Sequence, residues 1–454
     1  MPRAAPLALA ALAIGCGDSS VLIEVQSDLA GLDAICLSVA DSAPAGGRFA
    51  RRYPLEQEGL PQSLAVAPGS ASSAIARVRG HSGGREVGRA RAEFDFSSTS
   101  VVELSLGSCA PAELVDPEIF EAPGAPVDII ALSRGARRDL LVALGPGEAG
   151  AWAVGDGELV AAGGALPEPP AEPRAAIAAD VDESCEDDVI VLSERGVERW
   201  RRSGDELLLD EAGILDDDAG PLVALAAADI DGDGALDVVA GGGAELRVYL
   251  NDGDGRFSRA PDPVPPSAVS DVTSIALADF SGDGRVDILV GQGAAEPGPL
   301  RLLLAEPGQP GRFVVAEGAT PEVDYVVRQV VPAADPAGVT DALVATSEGV
   351  VHLVNRGDGR FDDRSGVTIA GAASVDGASV ALGDWDGDCR EDVVLAPSGA
   401  DVRIFAGAGD GGFEEAPGIS RVGGRIILDD RGARGGESRD LVIAGEDGVW
   451  WLLR

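Results

Sequence analysis

Ala228-Asp229-Ile230-Asp231-Gly232-Asp233-Gly234-Ala235-Leu236-Asp237-Val238-Val239 sets four aspartates on a regular spacing and ends in an apolar run. Three further segments align with it. Residues 178–191 carry Asp180, Asp182, Ser184 and Asp188; residues 278–289 carry Asp279, Ser281, Asp283 and Asp287; residues 383–394 carry Asp384, Asp386, Asp388 and Asp392. The first aspartates stand 49, 50 and 105 residues apart, the last gap being two units. Self-similarity at such a period marks a repeat architecture.

The unit inside the long gap falls at residues 330–346, where Asp341-Ala342-Leu343-Val344 keeps the strand but the aspartate-rich loop is lost. Residues 130–144, with Asp139-Leu140-Leu141-Val142, and 426–444, with Asp440-Leu441-Val442-Ile443, flank the set. The count is seven. A second signature follows downstream in Asn251-Asp252-Gly253-Asp254-Gly255-Arg256-Phe257, in Asn355–Phe361 and in residues 407–413. Such Asn/Asp/Gly turns supply the positive φ angles that hairpins need. Each unit then reads as four strands: an inner Ala-rich one, one after the Asp loop, one before the turn and one opening at the Phe. A four-stranded sheet repeated radially is a propeller blade. The last unit lacks its Phe-led strand, and Ile119–Gly124 looks like that strand supplied from elsewhere, opening at Phe120. The expected propeller therefore covers residues 115–454 with seven blades, the last closed by the strand at about 119–124, which leaves no exposed edge.

The Asp-x-Asp-x-Asp-Gly-x-x-Asp spacing carries chemistry. In a tightly coiled loop, alternate side chains converge on one point. The ninth-position carboxylate reaches back from the next strand, and the seventh residue, Ala235, offers its carbonyl. Five or more oxygens with several negative charges suit Ca²⁺, a hard ion that accepts flexible oxygen cages, better than Mg²⁺. The bland alternative is an acidic surface turn, but three copies in register argue for a metal.

Together these loops and turns make residues 119–454 resemble the FG-GAP (VCBS) repeats of integrin α-subunit propellers and bacterial surface proteins. The resemblance implies Ca²⁺ in the loops. It would be held by Asp229, Asp231, Asp233, Ala235 and Asp237; by Asp279, Ser281, Asp283, Arg285 (through its carbonyl) and Asp287; and by Asp384, Asp386, Asp388, Arg390 (again the carbonyl) and Asp392. A fourth loop, Asp180, Asp182, Ser184 and Asp188, lacks the third aspartate. Cys185 and Cys389 stand where that family has its turning glycine. The units at Asp139, Asp341 and Asp440 lack ligands and are expected to be metal-free.

Composition bounds the rest. The chain has 454 residues, 45% of them apolar, with 62 Gly and 29 Pro, as an all-β chain of short strands requires. All 35 basic residues are Arg; against 76 acidic residues they leave a net charge of −41, which argues against nucleic acid as a partner. His81 and His352 are the only histidines, and neither has a recognisable sequence partner. No Ser-His or Cys-His arrangement and no phosphate loop is present, so no catalytic residues are assigned.

The N-terminus reads as an export signal over residues 1–15: Arg3, an apolar run from Leu7 to Ile14 too short to span a bilayer, then Cys16. Ala13-Ile14-Gly15-Cys16 resembles a bacterial lipobox, which implies lipidation of Cys16 and a tether at 16–20. The other reading is an ordinary cleaved signal with an incidental Cys. In an exported chain, Cys36 and Cys109 are a possible disulfide because they bracket one domain. That domain, residues 21–110, shows strand-like runs at 21–26, 34–39, 63–66, 74–79, 89–96 and 101–106, and is expected to be a small β-sandwich. The sequence thus predicts an exported, lipid-anchored, calcium-binding propeller, periplasmic or at the cell surface, that binds a protein or glycan or acts as a scaffold. The alternative is a carbohydrate- or lipid-active lyase or hydrolase on the same frame. Arg356-Gly357-Asp358 is explained by its turn, and Trp385, Trp450 and Trp451 read as blade aromatics before a sugar platform.

Overall fold

The protein is seen in a computed structural model. It describes the strands between Val21 and Leu452 and most of the turns between 158 and 320. Residues 1–20, 28–33, 42–46, 55–61, 67–72, 109–117, 121–126, 133–139, 183–186, 321–325, 335–339, 364–378, 386–391, 408–412, 430–439 and 453–454, with some shorter loop pieces and single positions such as Asp180, Gly234 and Asp384, lie outside the description. The export signal, Cys16, Cys109 and the tether fall there.

Two compact units divide the chain. The first holds seven strands. Six correspond to the runs read from the sequence; the seventh, Gly47–Pro54, was missed because three arginines mask its pattern. The strand starting at Val21 pairs in parallel with Val101–Ser108 and antiparallel with Gln62–Val66. Cys36 stands opposite Arg52 and Arg79 in the ladder. The seven strands hydrogen-bond in one continuous order whose ends are Gly47–Pro54 and Gln62–Val66.

The second unit is a β-propeller. Six blades are each made of four consecutive antiparallel strands: blade 1 (128–161), blade 2 (173–216), blade 3 (224–259), blade 4 (272–315), blade 5 (327–363) and blade 6 (379–422). The repeat count of seven is corrected in this respect: the last repeat forms no blade of four consecutive strands. It contributes Arg425–Asp429, Asp440–Gly445 and Gly448–Leu452, and the fourth strand of this composite sheet is Glu118–Phe120. Phe120 ends that strand where the sequence reading had it begin, because Ile119 and Phe120 face Trp450 and Val449 in the ladder. The first strand of the composite sheet lies beside the first strands of blades 6 and 1.

Burial explains the sequence pattern. The second strand of blades 1 to 4 is buried along its whole length, from Leu140–Gly145 to Asp287–Gln292. Such a strand is covered on both faces, so it reads as a continuous apolar run. Alternate residues serve opposite neighbours. Val238, Ala240 and Tyr249 pack with Ile190 and Leu192 of blade 2, whereas Val239 and Val248 pack with Ile275, Ile288 and Leu303 of blade 4. First strands are edges, and their unpaired amides need partners. Ala176 N–H donates to Asp128 Oδ2 of blade 1 at 2.9 Å, Val330 N–H to Ser274 Oγ of blade 4 at 3.0 Å, and Val380 N–H to Gln329 Oε1 of blade 5 at 2.9 Å. Trp385 is 1% exposed, in a cluster with Val394 and Ile443, and is not available for stacking a sugar.

Candidate metal centre

The loop between the first two strands of blade 3 is shaped by its own aspartates. Gly232 N–H donates to Asp229 Oδ1 at 2.7 Å, and Asp233 N–H to Asp231 Oδ1 at 3.2 Å. Gly232 has φ +80°, which suits glycine. One carboxylate oxygen each from Asp229, Asp231 and Asp237 lies within 4.8 Å of the other two. Two Ca–O bonds of about 2.4 Å span that distance, so the three carboxylates fit one calcium ion. Asp233 stands outside this trio; it is exposed, and its Oδ1 accepts the Ala235 N–H at 2.9 Å. Burial raises the Asp231 carboxyl above its ordinary range, with repulsion from Asp233 and Asp229 adding to it. Burial pushes Asp237 up to about 6, against the pull of two backbone amides. A cation would relieve both.

Asp237 does more than the spacing suggested. It is fully buried; Oδ2 accepts Ile230 N–H at 2.8 Å and Oδ1 accepts Asn251 N–H at 2.8 Å. It therefore clamps the loop and the end of the third strand to the second strand. The same clamp recurs in blade 4, where Asp287 takes Ser281 N–H at 2.9 Å and Ala305 N–H at 3.0 Å, and in blade 6, where Asp392 takes Trp385 N–H at 2.7 Å and Gly407 N–H at 3.0 Å. Asp341 in blade 5, whose unit lost its aspartate loop, still takes Asn355 N–H at 2.7 Å. The ninth-position Asp is thus a structural residue of the blade whether or not a metal is bound.

In blade 4, Asp279 turns onto its own loop, accepting Gly282 N–H at 2.7 Å and Gly284 N–H at 2.8 Å. Ser281 Oγ lies 3.4 Å from Asp279 Oδ1. Arg285, expected to offer a carbonyl, places its guanidinium on Asp283. In blade 6, Asp384, Asp386, Asp388 and Arg390 lie outside the described residues, as do Asp180 and Ser184 of blade 2.

Blade 2 also holds a group that sequence reasoning missed. Arg199 Nε donates to Asp188 Oδ2 at 2.7 Å, Nη2 stands 2.6 Å from the same oxygen, and Nη2 also pairs with Asp182. Burial pushes the Asp188 carboxyl up to about 7, opposed by Arg199 and the Arg202 amide. His352 likewise has a partner that was not foreseen: Nε2 lies 2.9 Å from Asp341 Oδ2. The available signal was spacing. Arg199 and His352 each follow their blade's buried Asp by 11 residues, as Val248 follows Asp237.

Residues 229–290 and 336–395 match the family described as FG-GAP-like repeat, so the chain carries FG-GAP-like repeats. No curated protein matches. Among solved structures, an Agrocybe aegerita lectin described as recognising non-reducing terminal N-acetylglucosamine is 18% identical, over 74% of this chain and 86% of that one, with a TM-score of 0.48. BBS1N, solved in complex with ARL6DN, is 12% identical over 60% of this chain and 75% of that one, with a TM-score of 0.39.

Proposed function

We propose that this chain is an exported, calcium-stabilised propeller that works as a binding or scaffold module and not as an enzyme. The convergence of Asp229, Asp231 and Asp237 within 4.8 Å carries the calcium reading. The loops of blades 4 and 6 are its further candidates, after reorientation of Asp279. Export and anchoring rest on residues 1–16, with Cys16 as the lipidated residue, and place the module in the periplasm or at the cell surface. Its partner is a protein or a glycan.

Thermal unfolding tests the metal. An ion that binds only the folded chain stabilises it by about 2.7 kcal/mol at a hundredfold excess over Kd. Millimolar calcium is expected to raise the melting temperature above its value in EDTA, and Asp231→Ala with Ser281→Ala to remove most of that gain. An equal melting temperature in both buffers, with no metal found by elemental analysis, sinks the calcium reading.

A further inference from the structure

We propose that the Arg199 guanidinium is the resident cation of blade 2, and that the side chain at this strand position decides which blades take a divalent ion. The inference rests on the calcium reading of the blade 3 loop. It reverses the expectation of a metal at Asp180, Asp182, Ser184 and Asp188.

The position is defined by register. In blades 2 to 6, the amide that meets Oδ1 of the buried Asp lies three residues after one particular third-strand residue. That residue faces the one two places beyond the Asp. It is Arg199 opposite Ile190 in blade 2, Val248 opposite Val239 in blade 3, Leu302 opposite Leu289 in blade 4, His352 opposite Leu343 in blade 5 and Ile404 opposite Val394 in blade 6. The blades divide cleanly. Where the fifth position of the first loop is an aspartate, as at Asp233, Asp283 and Asp388, the residue is aliphatic and buried: Val248, Leu302 and Ile404 are 0%, 1% and 2% exposed. Where that aspartate is missing, replaced by Ser184 in blade 2 or lost with the whole loop in blade 5, it is Arg or His.

The Asp itself follows the same division. In blades 3, 4 and 6, its Oδ2 accepts a loop amide, from Ile230, Phe280 and Ser281, or Trp385. In blades 2 and 5, Oδ2 receives Arg199 or His352. Arg199 bridges Asp182 and Asp188, the counterparts of Asp231 and Asp237, two of the three carboxylates that converge in blade 3. Its side chain is 7% exposed and Asp188 is fully buried. Gly255, in the hairpin turn of blade 3, closes over it: a Cβ there would stand 2.0 Å from Arg199 Nη1. A guanidinium stays charged at all accessible pH, and its planar fork matches two carboxylates. It sets a positive charge between two of the loop's carboxylates and occupies the space that a cation bridging them would need.

Bound calcium per chain, measured by equilibrium dialysis on the full protein, tests this. Arg199→Val is expected to add one ion, and Val248→Arg to remove one. Hydrogen exchange supplies a readout that needs no variant: calcium should slow exchange in the peptide over residues 229–237 and leave that over 180–188 unchanged. Calcium-dependent protection of 180–188 in the parent overturns the inference, as does a folded Arg199→Val that gains no ion. A parent that binds no calcium sinks the calcium reading instead. Arg199 is then judged on its Val variant alone, where a gained ion sustains the proposal and no gain overturns it.

Discussion

Asp237 has two employers, the backbone and the candidate ion, and its protonation couples them. In the folded chain burial pushes its pKa up to about 6, above the 3.8 of an exposed aspartate. Between those values the folded chain holds a proton that the unfolded chain has released. Stability from this group is therefore present below about pH 4 and is lost as pH rises through 6. A cation reverses the sign by favouring the ionised form. Calcium affinity is accordingly expected to rise from pH 5 to pH 7 and then level off, which isothermal titration across that range would reveal. Affinity that is flat over the window would remove Asp237 from the ligand set. At this scale the sequence was readable where one residue type has one use, and unreadable where it has two. The spacing grouped Asp229, Asp231, Asp233 and Asp237. It did not show that Asp237 also holds two amides, that Asp233 turns to Ala235, or that Arg199 answers Asp182 and Asp188. The Asp233 contact is local to the loop; the other two depend on how neighbouring strands are set side by side, and register is a tertiary property.

The hairpin turns show the same layering at the scale of the element. Asn251 and Asn355 were read as turn residues, and the glycines bear that out: Gly253, Gly255, Gly357 and Gly359 have φ of 83°, 74°, 81° and 72°. Asn251 Oδ1 and Asn355 Oδ1 each accept a turn amide, from Gly253 and Gly357. Their Nδ2 groups do something else. Asn251 Nδ2 donates to Val181 O of blade 2 at 2.7 Å and to Leu236 O at 3.1 Å; Asn355 Nδ2 donates to Phe280 O of blade 4 at 2.7 Å and to Thr340 O at 2.9 Å. Val181 and Phe280 each follow the first Asp of the preceding blade's loop. The turn of one blade is thus bolted to the first loop of the blade before it. Both Asn are nearly fully buried, at 4% and 5% exposure. Truncation strands buried carbonyls, which costs about 1–3 kcal/mol. Asn251→Ala and Asn355→Ala are each expected to lose that much stability in urea unfolding, seen as a lower midpoint with an unchanged slope. Asp254→Ala, an exposed neighbour paired with the exposed Arg256, serves as the control and should change stability by less than about 0.5 kcal/mol. Equal shifts in all three variants would reduce the bolt to ordinary turn chemistry. Arg356-Gly357-Asp358 belongs to this device, with Arg356 paired to Asp362.

Across the whole molecule, the propeller depends on one short strand from outside the repeat series. The period near 50 residues was legible because every blade must bury the same faces against its neighbours, so the apolar runs and turns recur. The assembly of the last sheet was legible only as a borrowed Phe-led segment, and its start was misplaced because Glu118 and Ile119 carry no turn signal. Glu118–Phe120 pairs with Gly448–Leu452 through Val449↔Phe120, Trp450↔Ile119 and Trp451↔Glu118. Without it, Gly448–Leu452 becomes an edge carrying two tryptophans, an arrangement that invites association with other chains. Ile119→Pro removes one amide donor and forces the local backbone away from ladder geometry. The variant is expected to lose about 2–3 kcal/mol, from two or three hydrogen bonds at about 1 kcal/mol each. Exchange should accelerate in the peptide over 448–452 while the 287–292 strand of blade 4 stays protected, and light scattering should report self-association. Ile119→Val keeps the strand and is the control. If Ile119→Pro left 448–452 as protected as in the parent, the three-strand remainder would be stable alone, and Glu118–Phe120 would be a passenger on the ring and not a part of it.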